Sequence, residues 1–288
     1  VKRLRVAAVQ MTFAPTLGGN LGKIRSALSE SSRRKADAVL FPECATTGYG
    51  YDFSALRPGE IRDSLAAVAE LARHHRTNVL VGTPLFAGKR LYNALVVFDR
   101  KGRAVHAYAK CQLTDLDRRV FTPGDAVALF SIDGVAATAI ICHERRYPEL
   151  VRLAAMAGAR IVFHPNAGLD ELGVSKTKRN GADGIDARAF ENGIFYVFAN
   201  SVGPQGGGRW SAGDSKIVAP DRTRLALADN VGESVIIADL ELAKATGEYA
   251  AESLVHPRFL SSHWRRMLGE IRLRARSSLR RFGLEGRF

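Results

Sequence analysis

Three side chains far apart in the chain could do chemistry together if the fold gathers them. An apolar run, Val135 to Ile141, stops at Cys142; His143-Glu-Arg-Arg146 follows, and Pro148 then opens an apolar-periodic segment through Leu150, Val151, Leu153, Ala154 and Met156. This pattern predicts a strand, a sharp elbow and a helix. A cysteine at such an elbow projects from the end of a buried strand, where nearby charges and helix-start N–H groups can favour its thiolate. The alternative is a small apolar residue that closes a strand. Phe41-Pro-Glu43 and Tyr108-Ala-Lys110 repeat the same grammar, each an apolar strand that ends in a reactive group. Strand ends in a sheet-based fold meet at one edge, where sites form. There, a carboxylate can take a thiol's proton, an ammonium can stabilise an oxyanion, and the sulfur can attack a carbonyl or nitrile carbon.

The elements that must position these groups alternate between strands and helices. Strands are expected at Leu4–Met11, Ala38–Phe41, Asn78–Thr83, Val127–Phe130, Val135–Ile141, Arg160–His164, Ile194–Ala199, Ser215–Ala219 and Ser234–Leu240, with a hairpin pair at Arg90–Phe98 and Ala104–Lys110. Helices are expected at Leu21–Lys35, capped by Asn20, from Pro58 to His75, from Pro148 to Ala157, and at Gly184–Glu191, with a polar loop over Leu169–Gly181. Gly203–Gly208 lacks the preceding strand and the Lys-Ser/Thr of a phosphate loop, so it reads as a mobile surface loop. Together these elements predict an α/β layered fold with helices on the outer faces. We divide the chain into a body, residues 1–257, and a basic extension, 258–288.

Bulk composition narrows the class. The 288 residues are 46% apolar, enough for a substantial core, and no run is long enough to span a bilayer. The first residues pass straight into an alternating strand, which makes a cytoplasmic protein the default expectation. Three cysteines match neither a disulfide framework nor a zinc pattern, so neither is expected. The net charge of +13 is local: from Arg258 onward nine arginines stand against Glu270 and Glu285, an excess of +7. Phe259, Leu260, Trp264, Met267, Leu268, Ile271 and Leu279 interleave with them, which predicts an amphipathic helix packed on the body or on a partner subunit. Nucleic acid or another anionic surface is the lesser alternative.

The order and context of these words resemble the nitrilase superfamily of carbon-nitrogen hydrolases. The matching stretches are Phe41-Pro-Glu43 with Thr47-Gly-Tyr49, Tyr108-Ala-Lys110 with Leu113, Phe121-Thr-Pro-Gly124, Ile141-Cys142 leading to Arg146-Tyr-Pro-Glu149, Arg188-Ala-Phe-Glu-Asn192, Asn200 with Gly203, and Gly213-Asp-Ser215 before Pro220-Asp221. The resemblance implies an α-β-β-α sandwich, usually a homodimer, with a small-molecule substrate and neither metal nor organic cofactor. It makes Glu43 the general base and acid, Lys110 the oxyanion stabiliser with the His143 N–H beside it, and Cys142 the nucleophile. Tyr49, Asn166 and Asn200 fall at pocket positions, and His143 adjoins the nucleophile.

Two departures from the family pattern stand out. Asp117 sits where many members carry a further catalytic glutamate; its side chain reaches about 1.5 Å less, which leaves contact with Lys110 or substrate through water, or none. Glu144 is nitrilase-like, whereas the Cys-x-x-Arg-Arg run is closer to the N-carbamoyl-amino-acid amidohydrolase branch, whose arginines hold a substrate carboxylate. Arginine's planar fork suits that task, so Arg145 and Arg146 are assigned with Glu144 to the substrate. The competing assignment pairs Arg146 with Glu149 or Glu144. Cys44 and Cys111 are expected to face away from the site as core residues.

Overall fold

The computed structural model describes residues 3–177 and 184–288. In the first half, β1 (Arg3–Gln10), α1 (Leu17–Arg33), β2 (Ala38–Leu40), α2 (Pro58–His75), β3 (Asn78–Ala87), β4 (Arg90–Phe98) and β5 (Ala104–Ala109) follow in order. The second half contains β6 (Phe130–Ile132), β7 (Val135–Ala139), α3 (Pro148–Met156), β8 (Ile161–Asn166), β9 (Asp170–Glu171), α4 (Leu172–Thr177), α5 (Ile185–Asn192), β10 (Phe195–Asn200), β11 (Val202–Gly206) and β12 (Arg209–Ala212). It closes with β13 (Lys216–Val218), β14 (Arg224–Leu227), β15 (Ser234–Glu241), α6 (Glu248–Glu252), α7 (Arg258–Arg276) and α8 (Ser278–Arg281).

Two six-stranded sheets form, ordered β15-β1-β2-β3-β4-β5 and β14-β13-β10-β8-β7-β6. Strand alternation assigns the layers. Leu4, Val6 and Ala8 of β1 meet Ile161 and Phe163 of β8 and Val197 of β10 in a core between the sheets. Ala7 and Val9 face the other way, onto Ile24 and Leu28 of α1 and Leu65 and Val68 of α2. On the far side, Val162, Tyr196 and Phe198 pack under Val151 and Met156 of α3 and Ile185 and Ala189 of α5. The result is an α-β-β-α sandwich with mixed sheets. Among the described residues no helix is long and apolar enough to cross a membrane.

Several local expectations change. Helix α1 starts at Leu17, capped by the Thr16 hydroxyl that accepts from Gly19 N–H. Two poor helix formers, Gly18 and Gly19, hide that start in the sequence. Asn20, expected as the cap, is buried inside the helix and exchanges two hydrogen bonds with the Ala14 backbone. The glycine-rich run is a β-hairpin, β11 with β12, rather than a loose loop: its glycines supply the left-handed turn at Gly206, Gly207 and Gly208. The edge strand β14 gave no apolar alternation strong enough to be read. Of the polar loop expected over Leu169–Gly181, the first part forms β9 and α4, and the last part lies outside the described residues.

The C-terminal segment wraps the body. Leu268 and Ile271 of α7 join the core beneath α3, while Leu279, Phe282 and buried Leu284 reach the core on the other helix layer. Arg274 and Arg281 both meet the Asp125 carboxylate, at 3.5 and 2.5 Å, and Ser278 bonds His106 at 3.0 Å. Leu284→Ala should therefore lower unfolding stability by about 2–5 kcal/mol; a urea midpoint equal to wild type would show that this segment lies outside the cooperative fold.

Candidate active site

The reactive groups converge at the C-terminal ends of strands from both sheets. Glu43 lies in a turn just after β2, and that turn rests on Gly82 of β3. A Cβ at Gly82 would sit 2.2 Å from the Pro42 carbonyl oxygen and 2.7 Å from Glu43 Cα, so only glycine allows the approach. Lys110 follows β5, its N–H bonded to the Asn93 carbonyl at 2.8 Å. The Phe121-Thr-Pro-Gly124 stretch clamps it from the other side: Gly124 N–H donates to the Lys110 carbonyl at 2.8 Å, and a Cβ there would meet Ala109 O at 2.2 Å.

Inside, the Lys110 ammonium bridges two carboxylates. It lies 2.8 Å from Glu43 Oε1 and 2.8 Å from Asp117 Oδ2, with all three side chains shut off from solvent. Glu43 Oε1 also accepts from Asn93 Nδ2 at 2.6 Å, and Oε2 from Ala167 N–H at 3.0 Å. Asp117 Oδ1 accepts from the Tyr49 hydroxyl at 2.5 Å.

The shorter side chain of Asp117 does contact Lys110 directly, contrary to expectation. The backbone makes up the missing length. Thr114 and Asp117 form a reciprocal cap, Asp117 N–H to Thr114 Oγ1 at 3.1 Å and Thr114 N–H to Asp117 Oδ2 at 2.9 Å, which folds a short 3-10 turn toward the ammonium. Burial disfavours the Lys110 charge, but the attraction of Glu43 and Asp117 outweighs it and pushes its pKa well above the usual lysine value. For Asp117, burial works against ionisation, yet the Lys110 charge and bonds from Lys110, Tyr49 and Thr114 hold its pKa down. Lys110 is therefore an ammonium and Asp117 a carboxylate.

Cys142 opens onto a cavity of about 270 Å³ that Tyr49, His143, Arg145, Arg146 and Asn166 also line. Its backbone is left-handed, φ 51°, a conformation that costs a non-glycine residue about 1–3 kcal/mol and persists only where the surroundings impose it. Three contacts impose it here. The Glu144 carboxylate accepts from Ile141 N–H at 2.7 Å, His164 Nε2 meets the Cys142 carbonyl at 3.1 Å, and Arg188 donates to the Arg145 carbonyl at 3.3 Å.

Glu144 is thus corrected from substrate contact to brace. It is fully buried, and its carboxylate accepts from Ile141, Cys111 and Gln112 N–H and from the Tyr108 hydroxyl. It ties the elbow to the strand end that carries Lys110. The spacing Ile141 to Glu144 is that of a carboxylate folding back on a helix start, a signal available in the sequence. Asn93 and His164 gave no such signal, because a lone buried polar residue on a strand looks like any other, and Ala167 acts through its backbone N–H alone.

The thiol is not pre-ionised. Burial first, then the Glu43 carboxylate, pushes the Cys142 pKa up to about 12, with Lys110 and Arg145 pulling the other way. The sequence had suggested a favoured thiolate; in the fold, desolvation and a carboxylate outweigh the cations. Cys44, in a left-handed turn against the α1–α2 layer, is core. Cys111 is partly buried against the inter-sheet core.

Arg145 is half-buried and Arg146 exposed, and among the described residues neither guanidinium has a carboxylate partner. Asp170 and Asp214 also line the cavity, but Asp214 lies 2.8 Å from the Lys216 ammonium and Asp170 has a partner of its own. Asn166 donates to Asn200 Oδ1 at 2.7 Å, and its own Oδ1 has no partner among the described residues. Among them, no cluster of three or more His, Cys, Asp or Glu is placed to hold a metal.

Glu43→Gln removes one charge that keeps the thiol protonated and leaves Lys110 paired by Asp117 alone. The Cys142 pKa, read as the midpoint of the pH dependence of iodoacetamide labelling, should fall relative to wild type; an unchanged or higher midpoint would contradict this electrostatic account.

Comparison with known proteins agrees with this geometry. The family model described as carbon-nitrogen hydrolase matches residues 5–248. A hydrolase from the pqqF 5' region of Pseudomonas protegens is 32% identical over 84% of each chain. An omega-amidase of Xenopus tropicalis is 26% identical over 87% of this chain and 91% of its own. An amidase of Nesterenkonia, of the nitrilase superfamily, superposes with a TM-score of 0.77 at 25% identity, covering 91% of this chain and 97% of that one. In another structure of that amidase, TM-score 0.77 at 25% identity and 91% of this chain against 96% of that one, the active-site cysteine carries the acetamide moiety of fluoroacetamide. With a buried carboxylate-ammonium pair beside a cysteine elbow and a family match across nearly the whole body, the chain belongs to the carbon-nitrogen hydrolases of the nitrilase superfamily.

Proposed function

We propose that the protein hydrolyses small linear amides or N-carbamoyl compounds that bear a carboxylate, through a cysteinyl thioester and with release of ammonia. The observation that carries this reading is the Lys110 ammonium, locked between Glu43 and Asp117 at 2.8 Å each while its charge acts on the Cys142 thiol at the cavity floor. An amine so held has one N–H left of three for a substrate oxygen.

In the proposed cycle the Cys142 sulfur bonds to the carbonyl carbon as its proton passes to Glu43. The resulting oxyanion lies between Lys110 and the His143 N–H. Collapse breaks the C–N bond, Glu43 returns the proton to the departing nitrogen, and ammonia leaves a thioester. Glu43 then takes a proton from water, the hydroxide adds to the thioester carbon, and collapse expels the sulfur, which regains its proton as the acid departs. A thiol that ionises only as it attacks needs an adjacent base, and Glu43 is the carboxylate acting most strongly on it.

Two arginines on the cavity wall, neither with a carboxylate partner among the described residues, support a carboxylate-bearing substrate, since a guanidinium binds a carboxylate through two parallel hydrogen bonds. The relatives include a nitrilase of Pyrococcus abyssi as well as amidases, 27% identical over 83% of this chain and 90% of its own. Nitrile hydrolysis and acyl transfer to an amine are therefore the alternatives that product analysis must separate.

Lys110→Ala should fold yet lose about 10²–10³ in kcat, the cost of a missing oxyanion donor; wild-type ammonia release would remove Lys110 from the mechanism. Arg145→Leu should raise KM about tenfold or more for carboxylate-bearing amides while sparing neutral ones of the same length. Equal effects on both would dismiss the carboxylate assignment.

A further inference from the structure

His164 is fully buried on β8, outside the catalytic triplet, and its ring joins two groups. Nε2 lies 3.1 Å from the Cys142 carbonyl oxygen, and Nδ1 lies 2.9 Å from the hydroxyl of Tyr196, also fully buried, on neighbouring β10. A carbonyl can only accept, so Nε2 carries the proton. The Tyr196 hydroxyl, bonded at Nδ1, holds the ring's orientation from the other side. Phe198 packs on the ring with centroids 4.9 Å apart, and Tyr196 meets it edge-on at 5.7 Å, so the imidazole has little room to turn.

The group it holds is half of a peptide unit. In a planar trans peptide the C=O and the following N–H point in opposite directions. The C=O of Cys142 and the N–H of His143 belong to the same plane, so anchoring the carbonyl on His164 aims the N–H away from β8. We infer that His164, oriented by Tyr196, is a positioning residue for the oxyanion hole: it clamps the Cys142–His143 peptide so that the His143 N–H is fixed on the substrate oxygen. This inference rests on the proposed hydrolase reading and adds to it a residue that never touches substrate.

The left-handed backbone at Cys142 makes such a clamp necessary, since φ 51° is not a conformation that cysteine holds unaided. The Ile141 N–H and Arg145 carbonyl contacts secure the two ends of the elbow. Among the described residues, the His164 contact is the side-chain hydrogen bond made to the peptide that carries the oxyanion donor.

The test compares His164→Met, which fills similar space but cannot donate, with His164→Gln, whose amide can donate to the carbonyl. For each, ammonia release from an amide that the wild type turns over gives kcat and KM. The rate of Cys142 alkylation by iodoacetamide is read in parallel, because displacement of iodide at a saturated carbon builds no oxyanion. The inference expects His164→Met to lose about 10- to 100-fold in kcat, less than outright removal of a donor, with KM and alkylation within about threefold of wild type. His164→Gln should recover most of the loss, and Tyr196→Phe should show a smaller fall of the same kind. An unchanged kcat in His164→Met overturns the clamp. So does a parallel fall of kcat and alkylation in both variants, which marks generic support of the fold. A wild type that releases no ammonia from any amide would instead remove the hydrolase reading, and the clamp with it.

Discussion

An ammonium sealed between two carboxylates governs the rest of this molecule. At 2.8 Å, each Lys110 contact is worth on the order of 6 kcal/mol of Coulomb attraction at an effective dielectric near 20, set against several kcal/mol for desolvating each ion. The arrangement holds only because every charge has partners: Asn93 and Ala167 on Glu43, Tyr49 and Thr114 on Asp117. Those partners come from β4, the end of β8 and two loops, so correct assembly of both sheets is a condition for burying the charge. The fold and the site thus specify each other.

Much of this was legible in the sequence because the periodicities were clean. Apolar strands ending in Glu43, Lys110 and Cys142 announced themselves, and strands alternating with helices predicted the layers that appear. What stayed hidden depended on side chains reaching across the chain. The Thr114-Asp117 spacing is that of a local cap, but nothing near it names Lys110 and Tyr49 as partners of the Asp117 carboxylate, and nothing near Glu144 names Tyr108 and the 111–112 backbone as its partners. The start of α1 is hidden because Gly18 and Gly19 mask a helix that tertiary packing nonetheless forms. The glycines of 206–208 suggest looseness in the sequence, whereas their left-handed geometry is what a tight hairpin requires.

The basic tail shows why total charge is a poor guide to partners. Asp125 directly follows Gly124, whose N–H holds the Lys110 backbone, and the same aspartate receives Arg274 and Arg281. Part of the excess positive charge therefore secures the loop behind the ammonium. A segment beyond the family match is tied through two residues to the centre of the site.

The high proton affinity of the Cys142 sulfur also bears on how the protein survives between encounters with substrate. Peroxides and other oxidants attack thiolates, not thiols, and the path to sulfenic and sulfinic acid begins there. With its proton held until about pH 12, the resting sulfur offers oxidants almost no target at neutral pH. A residue that must become a strong nucleophile for an instant is, for the remainder of its existence, chemically quiet.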